Sequence, residues 1–164
     1  MNRKRLKEGF TFIELLMYMA LLSVILLVLT DTFAAILQVR TESEATSAVQ
    51  QDAAFIMSRF MYDIARASAV TVPAAVGSTG ASLQITVNGI NYSYALSGSD
   101  LTITNNSGTD VLNGTDTTVS ALSFTRLGSG TGKDSVRVSF TVTSKTVRNS
   151  GAESRTLQTT VGLR

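Results

Sequence analysis

From Phe10 to Leu29 the chain reads FTFIELLMYMALLSVILLVL, a stretch in which Glu14 is the only charged side chain. Holding a carboxylate ionised in hydrocarbon costs about 2.5–3.5 kcal/mol on insertion scales, so Glu14 needs either a partner of opposite charge or a route to water. Residue types alone leave both open. Glu14 stands near the start of the run, where a long side chain can reach the interface, and directly ahead of the run lie Gly9 and the cations Arg3, Lys4, Arg5 and Lys7. Such a basic flank marks the cytoplasmic side of a membrane-spanning segment.

Other chemistry is thinly provided. The chain has no Cys and no His, which removes disulfides, thiolate metal sites, the usual zinc ligand and the usual neutral-pH base. No Ser-x-x-Lys spacing occurs, and the scattered Asp residues form no dyad, so an enzyme, a cofactor and a metal site are not expected. The stretch Gly128 to Asp134, GSGTGKD, has the look of a phosphate-binding loop, but residue 127 is Leu and Asp134 stands where Ser or Thr is required. It reads as a hairpin loop. Asn91-Tyr92-Ser93, Asn105-Asn106-Ser107 and Asn113-Gly114-Thr115 match the N-glycosylation pattern, and all three read first as turn chemistry.

Charge is unevenly placed. Four of the fourteen Lys and Arg residues precede Phe10, and beyond Gly9 the chain carries 10 Lys/Arg against 11 Asp/Glu. The basic pI therefore belongs to the N-terminus. From Arg126 onward, seven cations face Asp134 and Glu153, a stretch that could meet nucleic acid or an acidic partner. Few aromatics interleave with them, so a solvated sheet face with charged edges is the better reading, and nucleic acid is disfavoured as a partner without being excluded.

These residues need elements to hold them. The apolar run is long enough as a helix to cover the ~30 Å of a bilayer core, and longer than the h-region of a cleaved secretory signal. Beyond Asp31, Ala45, Val49, Ala53, Ile56, Phe60, Ile64 and Ala67 recur three or four apart, one face of an amphipathic helix. With no Gly or Pro between Phe10 and Ala69, a helix on the order of 90 Å is expected, ending near Ala69. After Pro73 the pattern alternates. Leu83, Ile85 and Val87, an Asn88-Gly89 turn, and Ile90, Tyr92, Tyr94 and Leu96 predict a hairpin. A short strand through Leu101 and Ile103 follows, then a loop from Asn105 to Thr117, then strands at Val119–Leu127, Val136–Val142 and Leu157–Leu163. The expected fold is α+β, with one face of an antiparallel sheet packed on the amphipathic half of the helix. The expected segments are 1–9, a basic leader; 10–29, a transmembrane or filament-core helix; 30–69, its amphipathic continuation; and 70–164, a β-rich head.

Lys7-Glu8-Gly9-Phe10-Thr11-Phe12-Ile13-Glu14-Leu15-Leu16 resembles the processing motif of the type IV pilin superfamily, in which a basic leader, Gly, Phe, a downstream Glu and an unbroken apolar run occur together. The resemblance implies that a membrane prepilin peptidase cuts between Gly9 and Phe10 and methylates the new amine of Phe10. It further implies that Glu14 pairs with the Phe10 amine of a neighbour and sets its register in a filament. Partners would be the peptidase, other pilin or pseudopilin subunits, the assembly platform and motor, and membrane lipid before assembly. The protein would be a single-pass inner-membrane protein with its head outside the cytoplasm, then part of a cell-surface or periplasmic filament. The proline-free anchor and the segment Phe60 to Ala67 are similar to minor pilins or pseudopilins of the W or J type. The competing reading is a membrane-tethered extracytoplasmic binding domain, a sensor or adhesin, with an uncleaved anchor.

Overall fold

The computed structural model describes residues 9–128, 132–148 and 150–164. Two compact units are separated at Arg40/Thr41. Helix α1, Phe12–Arg66, contributes to both, and nine strands follow it among the described residues.

In the first unit the helix is apolar on every side, and Leu15, Leu22, Ile25, Val28 and Phe33 are all exposed. A helix hydrophobic all round belongs in lipid or among other helices. Its serine and threonine hydroxyls are satisfied within the helix: Ser23, Thr30 and Thr32 donate to the carbonyls of Met19, Leu26 and Val28, each at 2.8 Å. Such back-bonding removes polar groups that hydrocarbon would penalise.

The second unit is the head. All seven residues of the expected stripe, Ala45, Val49, Ala53, Ile56, Phe60, Ile64 and Ala67, are buried there. They meet two antiparallel sheets, where the sequence pattern had suggested one. The first has the order β1 (Ala69–Val72), β3 (Leu83–Val87), β4 (Ile90–Ser97), β5 (Asp100–Asn105), β6 (Gly108–Val111). The second has the order β2 (Thr79–Gly80), β7 (Thr117–Leu127), β8 (Ser135–Arg148), β9 (Gly151–Gly162). Alternation reveals a half-buried strand but not its partners, which is why the division went unread.

The β3–β4 hairpin forms at the expected turn, with Asn88 at φ 51° and Gly89 at φ 79°, as a type I′ turn demands. The helix ends at Arg66, short of Ala69, because Ser68 donates both its N–H (2.8 Å) and its hydroxyl (3.1 Å) to the Thr86 carbonyl and draws the chain into the first sheet. The expected loop from Asn105 to Thr117 contains β6, an exposed edge strand with no apolar alternation to announce it.

β7 changes parity midway. Thr117 and Val119 face inward, then Leu122 and Phe124, and the register slips between Ser120 and Ser123. Ala121 adopts φ 50° at this bulge, which keeps both pairs on the buried face.

Phe60 sits where the layers meet. Its ring centroid lies 5.0 Å from Tyr94 of β4, 5.5 Å from Phe124 of β7 and 5.8 Å from Phe140 of β8, so one helical side chain contacts both sheets. One turn on, the buried carboxylate of Asp63 accepts from Arg59 Nε at 2.7 Å and from the Tyr94 hydroxyl. Burial pushes the Tyr94 phenol well above its ordinary range, and the hydrogen bond to Asp63 and that carboxylate's charge push it further.

Two predictions follow from this core. A truncated chain starting at Gln38 should be a soluble, cooperatively melting monomer that Phe60→Ala destabilises by about 3–5 kcal/mol and Phe60→Asp unfolds. Thermal melts followed by circular dichroism decide it, and a melt unchanged by Phe60→Asp would show that the helix does not hold the sheets. Because the folded head raises the Tyr94 pKa, the stability this proton confers is complete below the unfolded value near 10 and falls as pH climbs beyond it. The stability difference between wild type and Tyr94→Phe should therefore narrow above that pH, and a constant difference would refute the linkage.

Candidate processing and assembly site

Gly9 and Phe10 precede the first residue of α1 and are exposed and non-helical. A Cβ at Gly9 would meet nothing within 4 Å, and Phe10 is 79 % exposed, so among the described residues nothing covers the peptide between them. The Phe10 ring meets Tyr18 edge-on, with centroids 6.1 Å apart. The leader cations Arg3, Lys4, Arg5 and Lys7 lie outside the described residues.

Glu14 occupies the first helical turn and has a local partner that the sequence reading did not identify. Thr11 is the N-cap. Its backbone N–H donates to Glu14 Oε2 at 2.9 Å, its hydroxyl lies 3.0 Å from the same oxygen, and the Glu14 N–H approaches Thr11 Oγ1 at 3.4 Å. This is a reciprocal capping box, which satisfies amides left over at the helix start and holds a negative charge at the positive end of the helix dipole. The Thr-x-x-Glu spacing ahead of an apolar run was its sequence signal. The donors are neutral dipoles, so they orient the carboxylate without cancelling its charge. Among the described residues Oε1 accepts no hydrogen bond.

The weaker candidates resolve into structure. Asn113 is buried, accepts from the Leu101 N–H at 2.7 Å and donates to Asp100, Gly114 and Thr117, so its amide is committed to the head. Asn105 accepts from the Ser107 N–H at 2.8 Å, an Asx turn, and Asn91 accepts from the Thr86 hydroxyl at 2.9 Å. Within the glycine-rich stretch, Ser129, Gly130 and Thr131 lie outside the described residues. Asp134 receives Arg126 Nε at 2.9 Å and Nη2 at 2.6 Å, while Arg126 Nη1 reaches the carbonyls of Val70 and Ala74 at 2.9 and 2.7 Å. A cavity of about 340 Å³ opens beside them, but the guanidinium at its wall is already spent on the protein itself. Arg148 likewise pairs with Glu42 at 3.3 Å and Glu153 at 2.6 Å, and Lys145 with the Thr115 carbonyl at 2.7 Å. The basic C-terminal stretch thus holds the head together at three of its cations.

The fold and this N-terminal geometry together define a class: an apolar helix, long enough and apolar enough to cross a membrane by length and composition, running into a β-rich head. Residues 4–30 match the family model described as the prokaryotic N-terminal methylation motif. No curated protein matches the chain, and no solved structure does. The methylation motif and the apolar helix it opens support a type IV pilin-like protein, with a structural role.

Proposed function

We propose that the protein is a non-catalytic subunit of a type IV pilus or of a type II secretion pseudopilus. A prepilin peptidase cuts between Gly9 and Phe10 and methylates the Phe10 amine, and the platform and motor of the filament then assemble the subunit through its helix. The observation that carries this reading is the exposed Gly9–Phe10 peptide placed ahead of a capped helix whose apolar surface finds no cover within its own unit. Single-pass inner-membrane placement before assembly, with the head outside the cytoplasm, agrees with the basic leader.

Glu14 has a specific task in this scheme. The capping box fixes Oε2, and Oε1 faces the next partner, for which the methylated amine of a neighbouring Phe10 is the matching cation. A charge pair in surroundings of low dielectric penalises every register that leaves either member alone. Snorkelling to the interface is the competing account of the same carboxylate.

Protein from its native host should begin with a singly methylated Phe10 on intact-mass analysis. Retention of Met1 where the peptidase is active would refute the processing. Glu14→Gln separates the cap from the charge, because an amide oxygen still accepts from Thr11 but carries no charge. Cleavage and membrane insertion of Glu14→Gln should match wild type while incorporation into filaments falls to the level of Glu14→Ala. Normal incorporation of Glu14→Gln would leave the cap as the only role of this residue.

A further inference from the structure

The edges of the two sheets are unequally protected. β1 is bulged between Val70 and Val72 and runs into Pro73, and β2 has only two residues. Both are common ways of blunting an edge. β9 is different. It is a twelve-residue strand with no proline and, among the described residues, with no strand on its outer side. Its stretch Thr156–Gly162 carries no charge, and Leu157 and Val161 are half-buried, packed against the core from the inward face. An edge of this length normally has a partner strand.

Charge narrows the choice of partner. Asp134 and Glu153, the acidic residues of this region, are taken by Arg126 and Arg148. No carboxylate among the described residues forms an ion pair with Lys133, Arg137, Arg155 or Arg164, which leaves the surface around β9 positive. β6, at the far edge of the first sheet, carries the exposed Asp110, and the acids Asp100 and Asp116 lie close to it in sequence. β1 and β2 offer no carboxylate, and the one on β9, Glu153, is already paired with Arg148.

We propose that the open edge of β9 receives β6 of a second copy of this chain, joining the second sheet of one subunit to the first sheet of the next. Side-chain parity fixes the register. Asp110 lies opposite Ile103 and so shares its inward face, and Arg155 lies opposite Val142 on the inward face of the other sheet. Antiparallel pairing of Asp110 with Arg155 sets Thr109 against Thr156 on the outward face and Gly108 against Leu157. A slip of one residue would put the charges on opposite faces. Unlike edges joined head to tail make a heterologous contact, which gives a ring where its rotation closes and an open array where it does not, and the open array is the geometry a filament requires. The inference rests on the filament reading.

The chain has no native cysteine, so paired cysteines report on this contact alone. Opposed residues of an antiparallel pair lie about 4.5–5.5 Å apart at Cα, within disulfide reach. In filaments of the full processed chain, Thr109→Cys with Thr156→Cys should give a ladder of multimers on non-reducing gels, and Thr109→Cys with Leu157→Cys, on opposite faces, should not. Asp110→Arg should lower incorporation by roughly tenfold, with recovery in the double variant Asp110→Arg/Arg155→Asp. Assembled filaments without the ladder, equal ladders from both cysteine pairs, or capture of a different protein alone at Thr156→Cys would each overturn the edge contact while leaving the filament reading intact. A chain that keeps Met1 and never assembles would overturn the filament reading and the contact with it.

Discussion

The head is organised around a helical stripe that no part of it can do without. Two antiparallel sheets of five and four strands each have an apolar face to cover, and the helix between Ala45 and Ala67 supplies one surface that serves both. Phe60 shows the constraint most clearly, with Tyr94 from the first sheet and Phe124 and Phe140 from the second around one ring. Small residues at 45, 53 and 67 let strands approach the helix, and large ones at 56, 60 and 64 fill the space between layers. The polar ties follow the same plan. Asp52 accepts from the Gly114 N–H at 2.7 Å and from the Thr117 hydroxyl, and Asp63 from Tyr94, so the helix bonds to both sheets along the edge of its apolar stripe.

How much of this could be read from sequence depended on whether a residue's role was local. The stripe was legible because helical periodicity repeats over many turns, and the β3–β4 hairpin because Asn88-Gly89 fits few other conformations. β6 was illegible for the opposite reason. Gly108-Thr109-Asp110-Val111 is exposed at every position, and a strand with no buried face leaves no alternation. The bulge at Ala121 hid within β7 because Val119, Leu122 and Phe124 break strict alternation, and only the partner strand shows that the break is a register slip. At the N-terminus Glu14 was found through the cost of its charge, yet Thr11 was overlooked although Thr-x-x-Glu states the cap in four residues.

The cap changes how the charge should be understood. A lone carboxylate in an apolar helix appears as a defect awaiting a remedy, but Thr11 already supplies two donors to Oε2, and the helix start adds a favourable dipole. What remains is a fixed, oriented negative charge that, among the described residues, forms no ion pair. Fixation matters because a flexible carboxylate could reach several partners, whereas a held one distinguishes among them by geometry. The cap therefore sharpens the case for an intermolecular cation.

Apolar helical surface and charged or hydrogen-bonded edges contribute unequally to assembly. Contacts among Leu, Ile and Val side chains are non-directional, and one axial or rotational setting of such a helix is about as good as the next. Discrimination must come from groups that are costly when misplaced. In this chain those groups are few: the Glu14 carboxylate at one end, and in the head the Asp110 and Arg155 charges on unsatisfied strand edges. Each adds little when correctly paired, since exposed pairs contribute about 0.2–1 kcal/mol. Their effect is mainly negative, through the wrong neighbours they exclude. A chain without histidine or cysteine thus has its chemistry in the placement of a handful of charges on otherwise apolar or neutral surfaces, and that chemistry decides which neighbour fits and in what register.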